Sequence, residues 1–213
     1  EWCDGVNAHS HCFKMASEKQ NTEIRQEQIA VAALRIIGRH GTRALNVVRI
    51  AGIVGLVPSA IYRHFGGKDD VIDAVLELVR KRLRANVAAV AAESRDPLEA
   101  LRLLVDRHIT FLCENDGVST LIFSDQVYSG PKKRKVKIYG VINDYLQEIT
   151  KLVRDGQEKQ LIRGDLEPAA IAVMLLGLVQ SPAILWHLSE GNFGVKSQTE
   201  QAWGAFERAI RNS

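Results

Sequence analysis

The stretch from Ile50 to Lys68, Ile-Ala-Gly-Ile-Val-Gly-Leu-Val-Pro-Ser-Ala-Ile-Tyr-Arg-His-Phe-Gly-Gly-Lys, constrains this chain more than any other. It reads as two short helices joined by a glycine turn. Asn46 suits the N-cap of a helix over 47–54, because its side-chain oxygen can accept an orphan backbone N–H. Gly55 supplies the turn, Pro58 suits the first helical position of the next helix, and Gly66-Gly67 ends it. Ala51 is small enough to let the helices cross closely, and Val54, Leu56, Ile61 and Phe65 provide a small shared core. That leaves Ser59, Ala60, Tyr62, Arg63 and His64 on or near the outer face. A helix of this size can enter the major groove and present its N-terminal side chains to base edges. The charge distribution agrees. Residues 21–68 carry seven Lys or Arg against two acids, a balance of +5, while the rest of the chain sums to −2. A basic segment on a near-neutral body is the electrostatic footprint of a module that meets phosphates.

These residues resemble the TetR/AcrR family of transcriptional regulators. The family pattern runs Ile-Ala, then Ala-Gly-Val-Ser, then Leu-Tyr-x-His-Phe, then a Lys followed by an acid. The matches here are Ile50-Ala51, Gly55, Ile61-Tyr62-Arg63-His64-Phe65 and Lys68-Asp69. The detailed match covers about residues 25–75, a quarter of the chain. The resemblance implies that Tyr62, His64 and Lys68 contact phosphates and that Ser59, Ala60 and Arg63 sit where bases are read. Arg63 is the candidate for a bidentate contact to guanine. Asn46 and Arg49 complete the expected DNA-binding set. Val57 stands where a capping Ser or Thr is common, so Pro58 geometry alone is expected to start the recognition helix. Val54 replaces the usual Ala.

The remainder also reads as helices, about nine in all, so the expected fold is all-α. The expected division is an N-terminal extension over 1–20, a helix-turn-helix domain over 21–68, and a ligand-binding and dimerisation domain over 69–213. Ile29, Ala33, Ile36, Ile37 and His40 form one helical face, and Gly41 stops it. Val71, Val75, Leu78, Val79 and Leu83 mark a long helix opened by Asp69 and Asp70, acids that suit a helix N-terminus. Asp96-Pro97 opens another, with Leu101, Leu104, Val105, His108 and Leu112 on one side. A shorter helix is expected over 117–128. Ile138, Ile142, Tyr145, Leu146, Ile149, Leu152 and Val153 mark a further long one. Pro168 begins an almost wholly apolar helix to Leu188, with Pro182 inside it. Residues 1–14 show no helical period and read as a foreign or upstream extension. Cys3, His9, His11 and Cys12 within it fit no standard zinc spacing.

In the family, the C-terminal domain holds a small-molecule cavity and its last two helices pair with a partner's in a four-helix bundle. The resemblance therefore implies a homodimer on a palindromic double-stranded DNA operator. It also implies a small-molecule effector, and the apolar bias of this half favours a lipophilic one. Candidate ligand contacts are the polar or aromatic residues on apolar faces: His108, Phe111, Phe123, Tyr128, Tyr145, Met174, Trp186 and His187. Trp203 and Phe206 are expected to anchor the dimer interface. The basic string Pro131–Val136 matches a nuclear-localisation pattern and reads here as a solvated helix start, far in sequence from the recognition helix. Three scattered cysteines make no disulfide framework, which suits a reducing cytoplasm. The longest clean apolar run, 169–179, is too short to span a bilayer. No phosphate loop, His-Glu-x-x-His or Gly-x-Ser-x-Gly motif supports an enzyme, and no metal or cofactor is expected. The competing expectation is a helical dimeric adaptor that has lost DNA binding.

Overall fold

The computed structural model describes the backbone of residues 6–125 and 131–212, with side chains from residue 21 onward. Among the described residues there are nine α-helices and no strand, only one isolated bridge between Ile162 and Arg211. Helix α1 (Val6–His40) ends at Gly41, whose φ of 75° is the left-handed conformation that glycine adopts freely. A single 3-10 turn (Thr42–Ala44) leads to α2 (Val47–Val54), α3 (Pro58–Tyr62) and the long α4 (Lys68–Glu93). Then follow α5 (Pro97–Glu114), α6 (Asp116–Ile122), α7 (Lys132–Glu158), α8 (Pro168–Leu188) and α9 (Val195–Ile210).

Local signals start and stop these helices for identifiable reasons. The Asp96 carboxylate accepts from the backbone N–H of Leu98 at 2.9 Å and of Glu99 at 3.4 Å, satisfying two donors that α5 leaves orphaned. The Ser124 hydroxyl donates to the Leu121 carbonyl at 2.8 Å, and α6 stops at Ile122, inside the helix expected over 117–128, of which residues 126–128 lie outside the described residues. The expectation of a non-helical N-terminal extension also differs from the structure, since α1 begins at Val6. No proline interrupts that segment, and once a buried turn has nucleated a helix, each added residue gains a hydrogen bond. The side chains of Cys3, His9, His11 and Cys12 lie outside the described residues.

Packing then decides the arrangement. Burying one Leu or Ile side chain contributes about 1.5–3 kcal/mol, several times any difference in helix propensity. Helix α4 is the spine, packed against α1, α5 and α7. Its stripe Val71, Val75, Leu78, Val79 and Leu83 is buried, as are Leu101, Leu104, Val105, His108 and Leu112 of α5. Helix α6 crosses α1 at very close range. A Cβ on Gly117 would stand 2.2 Å from the Leu34 carbonyl oxygen, and one on Gly38 would stand 2.9 Å from the Gly117 amide nitrogen. Only glycine permits this approach.

Helix α8 has two different apolar faces. Ile171, Ala172, Leu175, Val179 and Ala183 are buried, while Val173, Met174, Leu185 and Leu188 are exposed. The helix has 21 residues and contains an 18-residue window of mean hydropathy 1.9, so it is long and apolar enough to cross a membrane by length and composition, unlike the shorter run read from the sequence. Only 33% of that apolar window is buried within the chain. Trp203 and Phe206 of α9, expected on an open interface, are instead buried inside the chain, with ring centroids 5.6 Å apart. Helix α9, which carries them, packs chiefly against α8.

Candidate nucleic-acid interface

The reading head consists of α2 and α3 held on the C-terminal part of α1. Ile50 and Ala51 of α2, Ile61 of α3 and Phe65 are buried together, and Val54 and Leu56 pack half-buried beside them. Gly55 takes φ 68° and caps α2 in the left-handed region, so the chain can reverse within two residues. Asn46 accepts from the Arg49 backbone N–H at 2.9 Å, and so caps α2 as its position suggests. That bond occupies its side-chain oxygen. Helix α3 has no side-chain cap at Val57 and starts on Pro58 alone.

Of the residues expected to meet DNA, Asn46, Arg49, Ser59, Tyr62 and Arg63 are exposed, while Ala60, His64 and Lys68 are half-buried. Tyr62 is 58% exposed although it sits next to fully buried Ile61. An aromatic ring left in solvent beside a small packed core has no packing role in this chain. Val48 and Val57 are also exposed on this head, at 68% and 63%. Sequence reasoning treats Val57 only as a missing cap and places neither valine on the surface. The signal lies in the α2 spacing, where Val47, Ile50, Ala51 and Val54 already fill the inner face.

The first turns of α4 carry three acids, each already engaged. Asp70 accepts from the Gly66 backbone N–H at 2.8 Å. Asp69 and Asp73 are ion-paired with Arg134 and Lys137 of α7. Further along, Arg80 meets Asp144 at 3.5 Å. Successive pairs advance together on both helices, so α4 and α7 run parallel and begin at the same level. The basic string, remote in sequence, therefore lies beside the head, and Arg134 is its single buried residue.

The expected ligand contacts do not form one group. His108 and Tyr145 meet in the core between α5 and α7, with 2.9 Å between Nδ1 and the hydroxyl oxygen and the rings edge to face. Burial pushes the His108 pKa down to about 4 and pushes that of Tyr145 up, so both stay neutral at ordinary pH. Phe111 is buried, Trp186 is half-buried, and Phe123, Met174 and His187 stand on the surface. Tyr128 lies outside the described residues. A groove of about 560 Å³ runs between α1, α4 and α6, lined by Arg35, Arg39, His40, Arg82 and Asp116 among others. Another of about 630 Å³ lies between α4 and α7. His108 and Tyr145 line neither. Among the described residues, no group of three or more His, Cys, Asp or Glu is placed to hold a metal ion.

Comparison with known proteins places these features in a family. Residues 29–75 match the model of bacterial regulatory proteins, tetR family, and residues 94–210 match the tetracyclin repressor-like C-terminal domain. The nucleoid occlusion factor SlmA of Vibrio vulnificus is 20% identical over 197 residues, covering 92% of this chain and all of that protein. The fatty acid degradation regulator FadR of Bacillus halodurans has the same fold, with a TM-score of 0.74 at 21% identity, covering 88% of this chain and 97% of that one. FadR of Bacillus subtilis, solved with stearoyl-CoA, superposes with a TM-score of 0.72 at 17% identity, covering 87% and 99%.

Proposed function

The chain belongs to the tetR family of bacterial regulatory proteins, and from that premise we propose that it is a homodimeric regulator that binds a palindromic operator and releases it on taking up a lipophilic small molecule. The observation that carries the DNA half of this reading is the solvent-facing side of α3. Ser59, Tyr62 and Arg63 project from a helix whose other side is locked by Ile61 and Phe65, and Lys68 opens α4 directly after it. In this reading Arg63 and Ser59 read base edges. Tyr62, His64, Lys68 and Arg49 hold phosphates, with Lys68 helped by the positive end of the α4 dipole.

The dimer reading rests on α8. Val173, Met174, Gly177, Ser181, Leu185 and Leu188 recur at helical spacing on its exposed side, and Ala205 and Ala209 are exposed on α9 beside it. A second copy would bury that stripe, and small residues let the helices approach closely. The effector reading rests on the apolar core around His108 and Tyr145, whose polar atoms could turn to a ligand. One protein of the same fold was solved with stearoyl-CoA, which makes acyl chains the first compounds to test.

The test is selection from a random duplex library with the whole protein, followed by a salt titration of the winning site. A palindrome should emerge. Tyr62→Ala and Lys68→Ala should each weaken binding across sequences and flatten the salt slope by about 0.9 for every phosphate no longer neutralised. Absence of any enriched duplex would falsify the DNA reading and favour an adaptor. A second reading is favoured by the closed His108–Tyr145 pair: a DNA-binding protein without an effector, in which no lipophilic compound shifts either melting or operator affinity.

A further inference from the structure

We propose that the start of α7 is a second phosphate-binding element, in which Lys132, Lys133 and Lys135 extend the nucleic-acid surface beyond the helix-turn-helix. This rests on the DNA-binding reading above. The sequence places Lys132, Lys133, Arg134 and Lys135 in the first turn of a helix. That is the wrong end for cations, because the exposed N–H groups there already carry partial positive charge. Arg134 has an internal reason to be present: it is buried and ion-paired with Asp69. The three lysines have none. All are exposed, and no carboxylate lies within ion-pair distance of them among the described residues. Four cations that oppose their own helix dipole, only one of them neutralised among the described residues, call for an outside polyanion.

Position identifies that polyanion as DNA. The Asp69–Arg134 and Asp73–Lys137 pairs fix α7 parallel to α4 and start the two helices at one level. The start of α7, which carries Lys132 and Lys133, therefore lies at the level of Lys68, with axes about 8–10 Å apart as for packed helices. Duplex DNA presents a phosphate per strand about every 3.4 Å of axis, so one backbone segment can meet both helix starts. The same ion pairs remove an obstacle. Unpaired, Asp69 and Asp73 would repel a phosphate approaching Lys68. Arg134 and Lys137 cancel them, and Asp70 is occupied by the Gly66 N–H. The string cannot act as an extended basic peptide, because it is helical and Arg134 is buried.

The test uses the full protein, its selected operator and a scrambled duplex of equal length, with affinity followed against salt. Lys132, Lys133 and Lys135 are changed together to Gln, and in a second variant to Arg. The Gln variant should bind both duplexes more weakly, by about fivefold at 0.15 M salt for each phosphate left without its lysine, and its log–log salt slope should flatten by about 0.9 for each. The Arg variant should keep the wild-type slope. Arg63→Ala, by contrast, should weaken only the operator. Melting of the Gln variant should be at or above wild type, since cations leave a helix N-terminus. A Gln variant with the wild-type slope, or one that binds weakly with its slope intact, overturns the proposal. Should wild type bind no duplex, or Lys68→Ala keep the full slope, the DNA reading itself fails first.

Discussion

Gly117→Ala is the sharpest test of how the reading head is joined to the rest of the molecule. The added Cβ would fall 2.2 Å from the Leu34 carbonyl oxygen and 2.8 Å from Leu34 Cδ1, where ordinary contact begins at 3.4 Å. One helix must therefore retreat by about 1.2 Å, the difference between those distances. The nearest atom is helix backbone rather than the end of a flexible side chain, so local repacking cannot absorb the shift. Overpacking of this kind costs about 1–3 kcal/mol, and the backbone clash puts this site at the upper end. For a chain of this length each kcal/mol lowers Tm by about 2–4 °C, so a fall of roughly 5–10 °C is expected.

Differential scanning calorimetry reads this directly, with Gly52→Ala as the control. Gly52 lies inside α2, and a Cβ there meets nothing within 4 Å. Alanine at that position should stabilise the protein by about 0.5–1 kcal/mol, because glycine loses more backbone entropy in a helix. The two changes are chemically identical and should move Tm in opposite directions. If Gly117→Ala melts with or above wild type, the close crossing of α1 and α6 is wrong.

Three further outcomes follow from the geometry. His108 has its folded pKa lowered from 6.5 to about 4 by burial, so the unfolded chain takes up the proton first as pH falls. The stability it contributes is full above pH 6.5 and is lost between there and pH 4, by about 3 kcal/mol at 1.36 kcal/mol per pH unit; urea unfolding across that window should show the loss, and His108→Gln should shrink it. Val173→Glu and Leu185→Glu place charges on the exposed stripe of α8 and should leave a folded monomer by light scattering, against the dimer expected of wild type; unchanged dimers would move the interface elsewhere. Asp96→Ala removes the α5 cap and should cost about 1 kcal/mol in chemical denaturation, with Asp96→Asn recovering most of it.

Residues whose roles are set within one or two helical turns are legible in the sequence. Gly41, Gly55, Pro58, Asp96 and Pro168 each act through backbone geometry or a hydrogen bond to a near neighbour, and each sits where its chemistry places it. The apolar stripes of α4 and α5 are readable for the same reason. What is not readable depends on approaches between distant segments. Gly117 looks like any helical glycine until α1 is laid across it. Trp203 and Phe206 look like interface anchors until the fold buries them within the chain. Arg134 looks like one more solvent-facing residue of the basic string until it is seen buried against Asp69, and only then does sequence distance from the recognition helix cease to matter.

The His108–Tyr145 pair bears most directly on what the core can sense. Among the described residues it is the one side-chain hydrogen bond between α5 and α7, buried in the core and lining neither groove. Removing one partner strands the other without water. Tyr145→Phe should therefore cost about 1–3 kcal/mol, and His108→Phe a similar amount, chiefly through the unsatisfied group left behind. With both changed to Phe no buried group is stranded, and the double variant should be more stable than the sum of the singles predicts, by about 1 kcal/mol or more. Denaturant titration of the four proteins measures this coupling. Additive singles would mean that the bond contributes nothing and that the two residues are ordinary core fillers. A large coupling means that the bond adds to the apolar packing that holds α5 against α7, and a ligand with its own hydrogen-bonding group could take its place. Because α7 also carries Arg134 and Lys137 onto the start of α4, a ligand parting that bond would move the helix that neutralises Asp69 and Asp73 beside Lys68.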